Sequence, residues 1–433
     1  MVRSVARRES YQLFYRGPVG SRQYRNALAA ASLVIIVGAC SADDNSVTPG
    51  TSVAVTTSTT PNRLADGVLS LGVFLPITGP GAPLGVPMIE AIEDAVALIN
   101  AAGGVIGEPV ILTVVDEGTD TGFAELLAVG VDAIIGPASS VVALSQLDAT
   151  VQPGSAVVTC SPTATALALD DFPDNGYFFR TVASDSLQMA AIARRAERTG
   201  VSTISIGYLD DPYGRGLASA LADEVTARDR LTIVQQIGFD GDDQDLTDTA
   251  DALLDGSPGV VVVVGDADDG SRLLAALDEA TAGTEPPQII VNDSIRGARQ
   301  TIQSLTPVFR EHITGVATMA QSITADGPEG FFTAQATDCV NLIALAAVQA
   351  ESDSPSKIQA NMASASVGGR ACSTFADCAA RIEQGLQIDF SGASGQLDLS
   401  TTTGDVIRAW FEAFTFDVDG VDVQAEETQF EVS

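Results

Sequence analysis

The chain has 433 residues and carries 22 Lys and Arg against 56 Asp and Glu, a formal charge of −34. Six of those bases but a single acid, Glu9, fall within residues 1–39, so the remainder is more acidic still. A surface of that sign repels phosphate backbones and anionic lipid headgroups, which argues against nucleic acid as a partner. His312 is the single histidine, so a cluster of histidine metal ligands is excluded and a Ser-His-Asp triad would need that residue. Hydrophobic residues make up 45% of the chain, which therefore reads as a folded α/β protein long enough for two or three lobes.

Basic residues lead into the apolar run Ala27–Ala39, followed by Cys40. As a helix this run spans about 20 Å, short of a hydrocarbon core of about 30 Å, so residues 1–39 read as a secretory signal peptide. Val37-Gly38-Ala39-Cys40 resembles the bacterial lipobox, which implies cleavage before Cys40 and acylation of its thiol. An ordinary signal with an incidental cysteine is the alternative. Residues 40–66 are Ser/Thr-rich without a sustained period, and are expected to form a disordered tether.

From Val68 short β-rich runs alternate with helical patterns. A strand over 68–76 precedes a helix over 88–102, where Ile89, Ile92, Val96 and Ile99 recur at helical spacing. Strands over 110–117, 131–137 and 155–160 follow, with helices near 121–128 and from Ser139. Beyond Phe179–Val182 the spacing predicts helix 185–199, strand 202–209, helix 213–228, strand 231–239 and helix 245–255. Strand 259–265, helix 269–281 and strand 288–293 complete this run. Apolar strands between amphipathic helices imply parallel sheets covered on both faces. Two such runs predict two doubly wound parallel-sheet lobes, with ligands held beyond the carboxyl ends of the strands.

The stretch 71–120 (LGVFLPITGPGAPLG…VDEGTD) resembles the opening of the type I periplasmic binding proteins, the leucine/isoleucine/valine-binding family of ABC-transporter solute receptors. Gly136–Ser140, Cys160–Thr165, Phe179-Arg180-Thr181 with Asp185, Asp211–Gly216 and Asp389–Gly395 extend the resemblance over roughly 68–420. It implies two lobes joined by a three-crossover hinge, 67–184 plus 319–392 and 185–318 plus 393–425. It also implies that Ser139 or Ser140, with Ala164 and Thr165 in the Ser161–Thr165 stretch, holds a ligand α-carboxylate. Small hydroxyl residues and amides at helix N-termini suit an anion, although serine is equally a common N-cap. By the same resemblance Asp293 meets the α-ammonium and Tyr213 reaches into the cleft; capping of a turn and helix-start packing are their plainer readings.

Gly79–Gly85 follows a strand, but Pro80 and Pro83 lack the amides a pyrophosphate needs. A cleft-lining loop with Leu84 against the ligand is the better expectation. The family commonly places aromatic residues after the strand 259–265, whereas this chain has Asp266-Ala267-Asp268-Asp269. These acids suit a polar or basic ligand side chain, or simply cap the next helix. The acid-rich stretch 239–251 lacks the glycine and the bidentate glutamate of an EF-hand. An exported chain favours disulfides, and the expected pairs are Cys372–Cys378 and Cys160–Cys339, with free buried thiols as the alternative. The resulting expectation is a monomeric, lipid-anchored, extracytoplasmic solute-binding protein of an ABC importer. It would bind an amino acid or related zwitterion without catalysis, metal or cofactor and hand it to permease subunits. A ligand-sensing receptor subunit on the same fold is the alternative.

Overall fold

The computed structural model describes residues 66–152, 156–324 and 327–432. The expected signal peptide, Cys40 and all of the tether but Asp66 lie outside them. Five parallel strands form one sheet: β1 (Ser70–Leu75), β2 (Ile111–Asp116), β3 (Ala133–Ile135), β4 (Val158–Ser161) and β5 (Phe178–Arg180), in the order β2-β1-β3-β4-β5. Leu71, Val73 and Leu75 are fully buried, and Met88, Ile92 and Ile99 of the helix Ala82–Ala101 join them in one core.

That helix begins six residues before the apolar periodicity does. Pro83 stands in its first turn, where a missing N–H costs no helical bond, and Pro87 lies within the helix. The glycine-rich stretch is therefore a short 3-10 turn, Gly79–Gly81, followed directly by helix rather than a loop to Gly85.

The second sheet contains β6 (Thr203–Leu209), β7 (Thr232–Phe239), β8 (Val260–Val264), β9 (Gln288–Asn292) and β10 (Ile313–Thr318). The chain then leaves this sheet for the long helix Thr333–Ala350, which packs beside the first sheet. A small third sheet follows, from β11 (Arg370–Cys372), β12 (Ile388–Gly392) and β13 (Gly395–Gln396). β14 (Ala409–Phe416) and β15 (Asp422–Val432) return to give the order β15-β14-β10-β9-β8-β6-β7.

At this edge β14 runs antiparallel to β10, and β15 runs antiparallel to β14, the latter because a short hairpin turn cannot supply the crossover a parallel neighbour needs. β15 also carries the second sheet beyond residue 425.

Three connections run between the two large sheets and meet around a cavity of about 20 Å³, lined by Thr181, Ala183, Thr318, Met319, Gln396 and Trp410 among others. Two disulfides brace the structure. Cys160 of β4 joins Cys339 of the long helix, and Cys372 of β11 joins Cys378, with Cα–Cα distances of 5.8 and 5.4 Å. Next to Cys339, the buried Asp338 carboxylate accepts the amides of Ala393 and Ser394 at 2.9 and 2.8 Å and the Ser394 hydroxyl at 2.5 Å. It thereby fixes the β12–β13 turn where the third connection begins. Burial outweighs these donors and pushes its carboxyl up to about 6. Among the described residues no helix is long and apolar enough to cross a membrane.

Candidate ligand-binding cleft

At the carboxyl end of β2 two adjacent acids do different work. Asp116 accepts the Thr78 hydroxyl at 2.6 Å and the amides of Ile77 and Gly118 at 2.9 Å each. The Thr78 bond is the main reason its carboxyl falls to about 2, and together these bonds pin the turn after β1. Glu117 turns the other way and accepts the amides of Ala138 and Ser139 at 2.7 and 2.8 Å. A carboxylate of the chain itself thus sits at the start of the helix Ser140–Thr150, where the helix dipole favours negative charge. Burial pushes Glu117 up against the pull of the two amides. The turn before this helix needs glycine: Gly136 has φ +111°, and a Cβ there would lie 2.0 Å from the Phe74 carbonyl oxygen.

The expected carboxylate-binding residues adjoin Glu117. The Ser139 hydroxyl caps its helix, accepting the Val142 amide at 3.4 Å, and the Ser140 hydroxyl accepts the Ala166 amide at 3.3 Å. Ser161 is fully buried; its hydroxyl donates to the Pro137 carbonyl at 2.7 Å and accepts the Ala164 amide at 3.0 Å. Ser161 and Ala164 therefore stitch two loops together. The amides of Ser140, Val141 and Thr165 have no hydrogen-bond partner among the described residues. Unpaired amides of this kind at a helix start favour an anion, and the Ser140–Ala166 bond brings the two loops that carry them together.

Thr165 links this group to a second one. Its carbonyl accepts the Asp185 amide at 2.9 Å, and its side chain pulls the Asp185 carboxyl down. Asp185 opens the helix Asp185–Arg198, capped by Ser184, and is buried. One turn on, Gln188 donates to the Val316 carbonyl of β10 at 3.2 Å, and its side chain helps hold down the carboxyl of Asp293, the residue after β9.

Tyr213 stands in the first turn of the helix Pro212–Thr226, capped by Asp211 through the Gly214 amide at 2.7 Å. Tyr213 is partly exposed. Burial, then the charges of Asp185 and Asp293, hold the phenol well above its usual range, while the side chains of Ser294 and Asn292 pull it down. The Asp185 carboxyl is pushed up to about 8, first by burial and then by Asp293, while the Thr165 hydroxyl and Arg180 pull it back. Burial also raises Asp293, opposed by Gln188 and Arg296.

Thr165 thus contacts Asp185 directly, and the charges of Asp185 and Asp293 both act on Tyr213, while Ser139, Ser140, Ser161 and Ala164 lie in the loops beside Thr165. Leu84 is half-buried in the first turn of its helix and packs on the core of the first sheet. Asp266 caps the helix Ala267–Ala280, accepting the Asp269 amide at 2.7 Å, and Asp269 pairs with Arg272. Glu117 and Gln188 escape a reading of the sequence. The only traces are the doubled acid ending β2 and the spacing of Asp185 and Gln188, which puts both on one helix face.

A family model described as periplasmic binding protein matches residues 68–336. The chain is 25% identical over 374 residues to the chemotactic signal transduction system substrate-binding protein BasB of Halobacterium salinarum, covering 80% of this chain and 87% of that protein. It is 32% identical over 260 residues to Leu/Ile/Val-binding protein homolog 8 of Brucella suis, covering 56% of this chain but only 62% of the relative's length. An ABC transporter substrate-binding protein of Desulfitobacterium hafniense, solved in complex with Leu, superposes with a TM-score of 0.57 at 21% identity, over 83% of this chain and 100% of that one. The family match spans more than half of the sequence and rests on the same two-sheet α/β architecture, so the chain belongs to the type I periplasmic binding proteins, a family of ligand binders related to the Leu/Ile/Val-binding proteins.

Proposed function

We propose that the protein captures an amino acid or a related small zwitterion for an ABC importer, held to the outer side of the cell membrane by a lipid on Cys40. The observation that carries the reading is the juxtaposition of opposite subsites across Thr165. On one side stand the amides of Ser140, Val141 and Thr165 with the Ser140 and Thr165 hydroxyls, in loops that Ser139, Ser161 and Ala164 hold together. On the other stand Asp293 and Tyr213. A carboxylate and an ammonium two bonds apart match that polarity, and Leu84 lies toward the side chain. The lobes are 67–184 plus 319–392 and 185–318 plus 393–432. They close about the three connections, and the closed form is what permease subunits would recognise. The names of the Brucella and Desulfitobacterium relatives support an amino acid as the ligand.

The test is calorimetry of the exported domain with the twenty L-amino acids. Binding of at least one in the micromolar range or tighter is expected, and binding of none removes the amino-acid reading. The anchor has its own test: Cys40→Ala should shift the protein from the membrane fraction to the medium, and unchanged membrane retention would exclude acylation. The Halobacterium relative favours a second reading, in which the same clamp reports its ligand to a membrane receptor. Deleting the gene separates the two: an importer loses uptake of the bound amino acid, whereas a sensor loses the response to it with uptake intact.

A further inference from the structure

We propose that the cavity between the three connections is a hydration site, in which Gln335 holds one water molecule that links all three connections of the hinge. This rests on the two-lobe clamp reading above and not on the identity of the ligand.

Three observations converge on it. First, the cavity lies where the connections meet, with Thr181, Thr318, Met319, Gln396, Arg408 and Trp410 among the residues that line it. A buried water needs about 10–15 Å³ of such space, so a cavity of about 20 Å³ suits one water and no larger solute.

Second, Gln335 lines the cavity from the first turn of the long helix Thr333–Ala350 and is only 3% exposed. Its backbone carbonyl accepts the Thr181 hydroxyl of the first connection at 2.8 Å, and its Nε2 donates to the Met319 carbonyl of the second at 2.8 Å. The Met319 bond decides which end of the amide is which, because a carbonyl takes only a donor. The side-chain oxygen Oε1 is thereby left buried with no hydrogen-bond partner among the described residues. An unpaired buried acceptor is costly, and water is a donor small enough for this space.

Third, the third connection brings further polar groups to the same cavity. The Met319 amide donates to the Trp410 carbonyl at 3.0 Å, which sets the second connection beside the third. The Arg408 Nε is buried without a hydrogen bond, 3.3 Å from the Asp398 carboxylate. Gln396, Arg408 and Trp410 thus complete the set of about three polar partners that a buried water takes.

Gln335 is the hub of this arrangement. It bonds the first two connections directly and faces the third through the water. Closing the lobes twists the connections against one another. A direct side-chain bond across them would fit one arrangement only, whereas a water turns with its partners and keeps Oε1 paired throughout.

The experiment is a high-resolution crystal structure of the exported domain together with hydrogen exchange of the wild type and Gln335→Met, all without ligand. The variant keeps much of the side-chain volume but removes both the Nε2 donor and the Oε1 acceptor. The expected results are an ordered water about 2.7–3.2 Å from Gln335 Oε1, and about 2- to 10-fold faster exchange in the variant over 181–183, 318–319 and 408–410 alike. A purely local role would speed only the first two segments, which Gln335 bonds directly. Acceleration there with 408–410 unchanged, or no ordered water at Oε1, overturns the proposal. The wild-type crystal structure alone decides the matter should the variant fail to fold. Failure of every amino acid to bind would remove the ligand reading and leave these results standing.

Discussion

Replacing Arg180 with Met is expected to destabilise the fold by about 3–5 kcal/mol, the usual cost of breaking a buried ion pair from one side. Arg180 is fully buried and among the largest side chains that are. Its Nε meets Asp405 at 2.6 Å and its Nη2 meets Asp170 at 2.6 Å, while Nη1 reaches the carbonyls of Ala164 and Ala166 at 3.4 and 3.3 Å. It therefore ties the loop after β4 to the chain just before β14. Met fills much of the volume but leaves two carboxylates without their cation.

Burial already raises Asp405 in the intact protein, with Arg180 opposing that rise. Without the guanidinium Asp405 rises further, so the stability Arg180 contributes is present at neutral pH and lost as acid protonates the carboxylates. Urea unfolding of both proteins at pH 7 and pH 4.5 tests this. A deficit below about 1 kcal/mol at pH 7, or one that does not shrink on acidification, would contradict the account. Adding Asp405→Asn to Arg180→Met should recover part of the loss, because the two residues are directly coupled.

Asp293→Ala should weaken amino-acid binding by about 30-fold to several thousand-fold. Losing one partner of a desolvated charge pair costs roughly 2–5 kcal/mol, and each 1.4 kcal/mol is tenfold in affinity. Thr165→Ala removes a neutral hydrogen bond worth roughly 0.5–1.5 kcal/mol, so only about a 2- to 10-fold loss is expected. Calorimetry on both variants, with the corresponding des-amino acid as control, reads this directly. Parent-like affinity in Asp293→Ala, or equal binding of the des-amino acid, would refute the ammonium assignment.

The sequence by itself determined the alternation of strand and helix, since runs such as Val260–Val264 are apolar on both faces and belong only inside a covered parallel sheet. It also located the ends of those strands, and so the loops from which a site is built. It did not show the helix beginning at Ala82, because Pro83 and Pro87 read as breakers until a first turn accommodates them. It did not show the antiparallel edge of β14 and β15 either, because apolar alternation does not record strand direction.

Site chemistry was legible as residue types but not as partners. Ser139 follows β3 and Ser161 ends β4, yet only packing decided that Ser161 is spent on Pro137 and Ala164. Asp266–Asp269 was equally ambiguous until the Asp269 amide and Arg272 claimed two of its acids. Asp185 and Asp293 lie far apart in the chain, one opening a helix and the other following a strand of the second sheet. Their proximity, and the burial that makes it consequential, exist only once β9, β10 and the helix Asp185–Arg198 are packed together. Electrostatic coupling depends on distance and hydration, and tertiary structure alone sets both.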